Sequence, residues 1–89
     1  MGKIFFILLS LLPFREMAQY EDLDIKMEEA MNLSESGEHL EAYAILSDII
    51  QRKTHFAEAY YFREIVRDRA GDKTGALTDY NILLELNLG

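Results

Sequence analysis

An all-α chain of tandem antiparallel helix hairpins, behind a hydrophobic N-terminal leader, is the fold class this sequence predicts. Three observations lead there. The chain matches itself when it is shifted so that Gly37 falls on Gly71. Four segments place apolar residues at helical spacing, and none alternates with period two for long, which argues against strands. The connections between these segments are short, which makes neighbouring helices antiparallel.

The leader comes first. One positive charge, Lys3, precedes an uncharged and mostly apolar run, 4–14. That is the length of a signal-peptide core. It is too short for a membrane-spanning helix, which needs about 20 residues, and Pro13 interrupts it near its end. The expected cut follows Ala18, although Glu16 stands where the cleavage rule wants a small residue. An uncleaved anchor and a buried helix are the alternatives. The Met1-Gly2 start does not fit myristoylation, because Phe6 occupies the Ser/Thr position.

The first helix is expected over 23–36, with Met27, Ala30, Met31 and Leu33/Ser34 on one face. The second spans 39–53, with Leu40, Tyr43, Leu46 and Ile50 forming an apolar face that Ile45 and Ile49 widen. Thr54 is the expected N-cap of a third helix over 56–70. The fourth runs over 73–87, with Leu77, Tyr80, Leu83 and Leu84 apolar.

The self-match pairs Gly37 with Gly71, Ala42 with Ala76, and Glu38 with Asp72. Apolar sites coincide too: Met27 with Tyr61, Met31 with Ile65, Leu46 with Tyr80, Ile49 with Leu83, and Ile50 with Leu84. Glycine suits a tight turn between helices because it accepts positive φ. An acidic residue after it favours the next helix N-terminus. The alanine that follows the glycine into that helix lets neighbouring helices approach closely. With these residues, and with a repeat length of about 34 residues, the chain resembles the tetratricopeptide-repeat (TPR) family. The most specific stretch is Gly71-Asp72…Gly75-Ala76-Leu77…Asp79-Tyr80-Asn81. The first unit, about 23–56, keeps Ala30, Leu33, Gly37, Ala42 and Leu46; the second is about 57–89. The division is thus a leader, 1–18, and a repeat domain, 19–89.

The second unit departs from the pattern by carrying Glu64 where the first has Ala30. Its carboxylate is expected to be strained, to reach out to solvent, or to pair with Arg63, Arg67 or Lys26. The charged run 63–69 reads as a solvated helix face with local ion pairs, against an electrostatic contact for a partner. The resemblance implies that Arg63 accompanies Asp79 as a tie between the two helices of one unit.

No catalytic, metal or cofactor site is expected. There is no cysteine, hence no thiol nucleophile and no zinc knuckle. His39 and His55 lack metal-ligand spacing and read as surface histidines. Gly71 and Gly75 bracket a repeat turn, not a phosphate loop. Ser34 and Ser36 have no evident base, and neighbouring carboxylates such as Glu28 and Glu29 point in different directions. The formal charge of −7 repels phosphate backbones, so nucleic acid is not an expected partner, and a charged partner would be basic. Membrane contact is expected only through an uncleaved leader.

The resemblance implies that a protein or peptide segment binds the concave face formed by the first helix of each unit. Residue by residue, that face holds Asp24, Met27, Met31, Ser34 and Glu35, then Glu58, Tyr61, Ile65, Asp68 and Arg69. The polar clamp with which TPR chaperone cofactors hold a C-terminal carboxylate is missing, since Met27, Met31, Tyr61 and Ile65 take those places. A second expectation concerns Leu77, Leu84 and Leu88, one stripe of the last helix interrupted by Asn81. Two repeat units bury little surface. The stripe should therefore be covered by a second copy, a partner, or the leader through Ile4, Ile7, Leu8 and Leu11. An exported envelope adaptor, a self-assembling unit and a fragment of a longer array are the three readings. The first requires removal of the leader: mass spectrometry of the protein from its own cells should find a chain beginning at Gln19, and an intact Met1 on soluble cytosolic protein overturns export.

Overall fold

The computed structural model describes residues 22–88, of Leu88 the backbone alone. The leader, with Ile4, Ile7, Leu8, Leu11 and the expected cut at Ala18, lies outside the described residues. Those residues form four helices and no strand: α1 (Leu23–Glu35), α2 (His39–Arg52), α3 (Ala57–Arg69) and α4 (Lys73–Leu88). Each helix packs on the next, and α1 also touches α3. Among the described residues no helix is long and apolar enough to cross a membrane.

The helix ends follow from local chemistry. Asp22 caps α1: its Oδ1 accepts from the backbone N–H of Asp24 (2.9 Å) and of Ile25 (3.4 Å). Asp72 does the same for α4, accepting from Gly75 N–H at 2.9 Å. Glu38, its equivalent one period earlier, makes no side-chain cap bond to α2; its longer side chain is not one that caps well. Thr54 is not the N-cap of α3. Phe56 N–H donates to the Lys53 carbonyl (3.1 Å), which closes a turn and leaves Thr54 outside the helix. The Thr54 carbonyl instead accepts from the Tyr60 hydroxyl at 2.8 Å.

The turns after α1 and α3 share the same two closing backbone hydrogen bonds. Glu38 N–H donates to the Leu33 carbonyl and Asp72 N–H to that of Arg67, both at 2.8 Å. Gly37 N–H donates to Ser34 O at 3.0 Å, and Gly71 N–H to Asp68 O at 3.1 Å. The two glycines have φ of +89° and +86°. This pair of bonds is the Schellman stop, which closes over a left-handed residue that a side chain would strain by about 1–2 kcal/mol. The period of the sequence is therefore also a period of the backbone here.

The core lies where α2 meets α1 and α3. Met27 and Ala30 of α1, Ala42, Leu46, Ile49 and Ile50 of α2, and Ala59, Tyr60 and Val66 of α3 are buried together. Ala30, Ala42 and Ala59 have no exposed surface, consistent with close helix approach. Leu46, equally enclosed, contributes about 1.5–3 kcal/mol by leaving water. Leu40 is a correction to the expected α2 face, since it is 82% exposed. At about 100° per residue it stands roughly 200° around the helix from Ala42, on whose side the neighbours pack. Glu64 is only half-buried, so its carboxylate is not enclosed as Ala30 is.

α4 packs on α3 alone among the described helices. It turns Ala76 and Asp79 inward and sets Ile82 and Leu86 against the core. Leu77, Tyr80 and Leu84 face out, 58%, 45% and 40% exposed.

Candidate functional site

A buried ionic network organises the second half of the molecule. Asp79 on α4 has no exposed surface. Its two oxygens accept from Arg63 Nε (2.9 Å) and Nη2 (2.7 Å), and from Arg67 Nη1 (3.2 Å). Arg67 Nη1 also donates to the Gly75 carbonyl (3.0 Å), and its Nη2 to the Tyr43 hydroxyl (2.7 Å). Its Nε makes no hydrogen bond and lies 3.7 Å from Asp72 Oδ2. Arg63 Nη1 donates to Ser47 Oγ at 3.1 Å. The guanidiniums of Arg63 and Arg67 lie 5.5 and 4.8 Å from the centre of the Tyr43 ring. Burial works against the charge on Arg63, but the hydrogen bonds and attraction of Asp79 outweigh it and hold its pKa above the ordinary value. The Tyr43 hydroxyl is held below its ordinary value, first by its hydrogen bond with Ser47 and then by Arg67, although burial opposes this.

The network corrects the reading of 63–69 as a solvated face at Arg67, while Asp68 and Arg69 are exposed. Arg63 and Arg67 turn inward to Asp79 rather than outward or towards Glu64, because a fully buried carboxylate must be matched by charge. Two arginines, Asp79 and the nearby Asp72 balance one another. The Arg63–Asp79 tie between α3 and α4 is present.

A second correction concerns Ser34 and His39. Ser34 does have a histidine beside it: its Oγ and His39 Nδ1 share a hydrogen bond of 3.1 Å across the first turn. Arg69 Nη1 donates to the same oxygen at 3.4 Å. Ser34 is buried, so no substrate reaches it, and the contact ties the ends of α1 and α3 to the start of α2. It also removes Ser34 from any partner-binding face.

Of the other expected partner-binding residues, the structure brings four together. Asp24, Met27 and Met31 of α1 and Glu58 of α3, with Glu28 and Phe62, line a groove of about 360 Å³, within the range of ligand clefts, about 300–1,000 Å³. Met27 is buried and supplies floor rather than open surface. Tyr61 is exposed beside Phe62, ring centres 5.4 Å apart. Glu35 is exposed and Ile65 half-buried, and neither lines the groove. Asp68 is taken by Lys73 (2.6 Å). Glu28 and Phe62 are the groove residues that sequence reasoning misses. Each lies four places after an expected one, Asp24 and Glu58, and so on the same helix face.

A second cleft, of about 410 Å³, lies between the start of α2 and the end of α3, lined mainly by Leu40, Tyr43, Val66 and Ala70. Among the described residues no cluster of His, Asp and Glu could hold a metal ion. No protein-family model, curated protein or solved structure matches this chain.

The network makes a stability prediction. Asp79→Ala leaves two part-buried guanidiniums without their buried carboxylate and should cost about 3 kcal/mol. Asp72→Asn removes a half-exposed partner and should cost at most about 1 kcal/mol. Urea denaturation of the two variants beside the parent checks both; similar losses would show that Asp79 is not the centre of the network.

Proposed function

We propose that this chain is a protein-interaction module of the TPR type, exported to the cell envelope, which holds a protein or peptide segment in the groove between α1 and α3. One observation carries the reading. Two helices separated in sequence by α2 bring Asp24, Glu28, Met31, Glu58 and Phe62 to one concave strip. Methionine and phenylalanine offer adaptable apolar contact, and the carboxylates set orientation at the rim. The repetition of the Gly37 turn at Gly71 supports the TPR assignment, with α1–α2 and α3–α4 as its two antiparallel hairpins. In that arrangement the first helix of each unit lines one face. The leader of residues 1–18 supports export.

A photo-reactive residue placed at Glu58 or Glu28 in the native host should form a discrete adduct with a partner on illumination. The same residue at Gln51, exposed on α2, should not. Equal labelling from all three positions, or none, overturns the groove as the binding face.

A self-assembling unit is the second reading, favoured by α4. Leu77, Tyr80 and Leu84 lie exposed along a helix that packs only on α3 among the described residues. The side chain of Leu88, the third residue of the expected stripe, lies outside the described atoms. Between Leu77 and Leu84 the strip presents Tyr80 and Asn81 and no carboxylate, with Glu85 exposed just beyond it, so two copies of an acidic chain would meet there mainly through uncharged side chains. Asn81, set between leucines, suits the register of such a pair. The purified protein should sediment as a dimer at micromolar concentration, and Leu84→Glu should shift it to monomer. A parent protein that is already monomeric removes this reading.

A further inference from the structure

We infer that the segment held between α1 and α3 is cationic as well as apolar: a stretch of protein with Lys or Arg flanking large apolar side chains. This rests on the groove reading above and adds the chemistry of its occupant. The floor is Met27, Met31 and Phe62, and the remaining described lining residues are the carboxylates Asp24, Glu28 and Glu58. Among the described residues no lysine or arginine lines the groove.

The carboxylates are not answered within their own helices. None of the three has Lys or Arg three or four places away, the only distances at which helix neighbours meet. Among the described residues none of them forms an ion pair. Some carboxylates elsewhere are answered, Glu29 by Lys26, Asp48 by Arg52, Asp68 by Lys73 and Asp79 by Arg63 and Arg67; what sets these three apart is that they gather on one apolar groove. Asp24 and Glu58 lie in the first turns of their helices, where the helix dipole favours negative charge. Glu28 has no such reason. It sits one turn after Asp24, and like charges at that spacing destabilise a helix. What local structure leaves unexplained is therefore a negative rim on an apolar strip, and a cationic partner complements it.

The complement also excludes alternatives. A phosphate backbone or an anionic lipid surface would meet three carboxylates and be repelled. An apolar segment without charge would fill the floor and leave the rim unmatched. Such rim charges act mainly on association rate and on salt dependence, which makes salt a direct readout.

The test uses the whole chain and fluorescent peptides of about a dozen residues, alternating Leu with Lys, Ser or Glu. The Leu/Lys peptide should bind at least about tenfold more tightly than the Leu/Ser peptide, and the Leu/Glu peptide least. Its affinity should fall several-fold as salt shortens the screening length from about 30 to about 8 Å. The triple variant Asp24→Asn, Glu28→Gln, Glu58→Gln should weaken it at least about fivefold more than a control of the same charge change, Glu41→Gln, Asp48→Asn, Glu85→Gln. None of the three control positions lines the groove. Equal loss in both triple variants would show a general field and overturn the inference. Equal binding of all three peptides, lost in Phe62→Ala with its helical circular dichroism intact, would keep the groove and overturn its cationic preference. No binding of any peptide would overturn the groove reading and the inference with it.

Discussion

Asp79 is the residue around which the second half of the molecule is arranged. A carboxylate without exposed surface is costly unless both oxygens are hydrogen-bonded and its charge is matched. Arg63 and Arg67, one turn apart on α3, meet both conditions. In doing so they draw in the Tyr43 hydroxyl and Ser47 from α2 and the Gly75 carbonyl from α4. The result fixes the rotation of α3, since two of its long side chains must reach the same carboxylate. That rotation determines what the other side of α3 offers: Glu58 and Phe62 turn towards α1 and complete the groove.

Backbone geometry supplies the second constraint. α1 and α3 each stop at a glycine of positive φ and the chain enters the next helix at once, through the same two hydrogen bonds. The starts differ. Asp72 reaches forward to cap α4, and its carboxylate also lies near Arg67, so the second turn is tied to the ionic network. Glu38 has no such role. The first turn is held by Ser34, His39 and Arg69 instead. Two turns that match at the level of the backbone are thus secured by different side chains, one by a charged cluster and the other by a buried hydroxyl.

Charge is distributed unevenly in consequence. Arg63, Arg67 and Arg69 of α3 are directed at Asp79, Asp72 and Ser34, while Asp24, Glu28 and Glu58 stay at the groove, which no cation among the described residues lines. The apolar strips that remain open, on α4 and along the groove, differ in this respect. The first carries no carboxylate between Leu77 and Leu84, and the second is rimmed by three.

The sequence by itself determined the helical character of all four segments, their limits to within a residue or so, and the two glycine turns. Each of these is local: it depends on the spacing of apolar residues along one helix, or on φ at one position. The Arg63–Asp79 contact was reachable only through the family resemblance, because the two residues are far apart in the chain and on different helices. Tertiary structure alone decided the rest. Arg67 reads as a surface residue until its neighbour across the helix interface is known to be a buried carboxylate. Ser34 has no base in its own helix; the glycine turn brings His39 to it. Leu40 belongs to an apolar face by type, but the neighbours lie on the side of Ala42. Glu28 and Phe62 become groove residues only because α1 and α3 lie together. In each case the deciding quantity is which side of a helix faces which neighbour, and that is settled by the whole set of packed and matched groups rather than by any one segment.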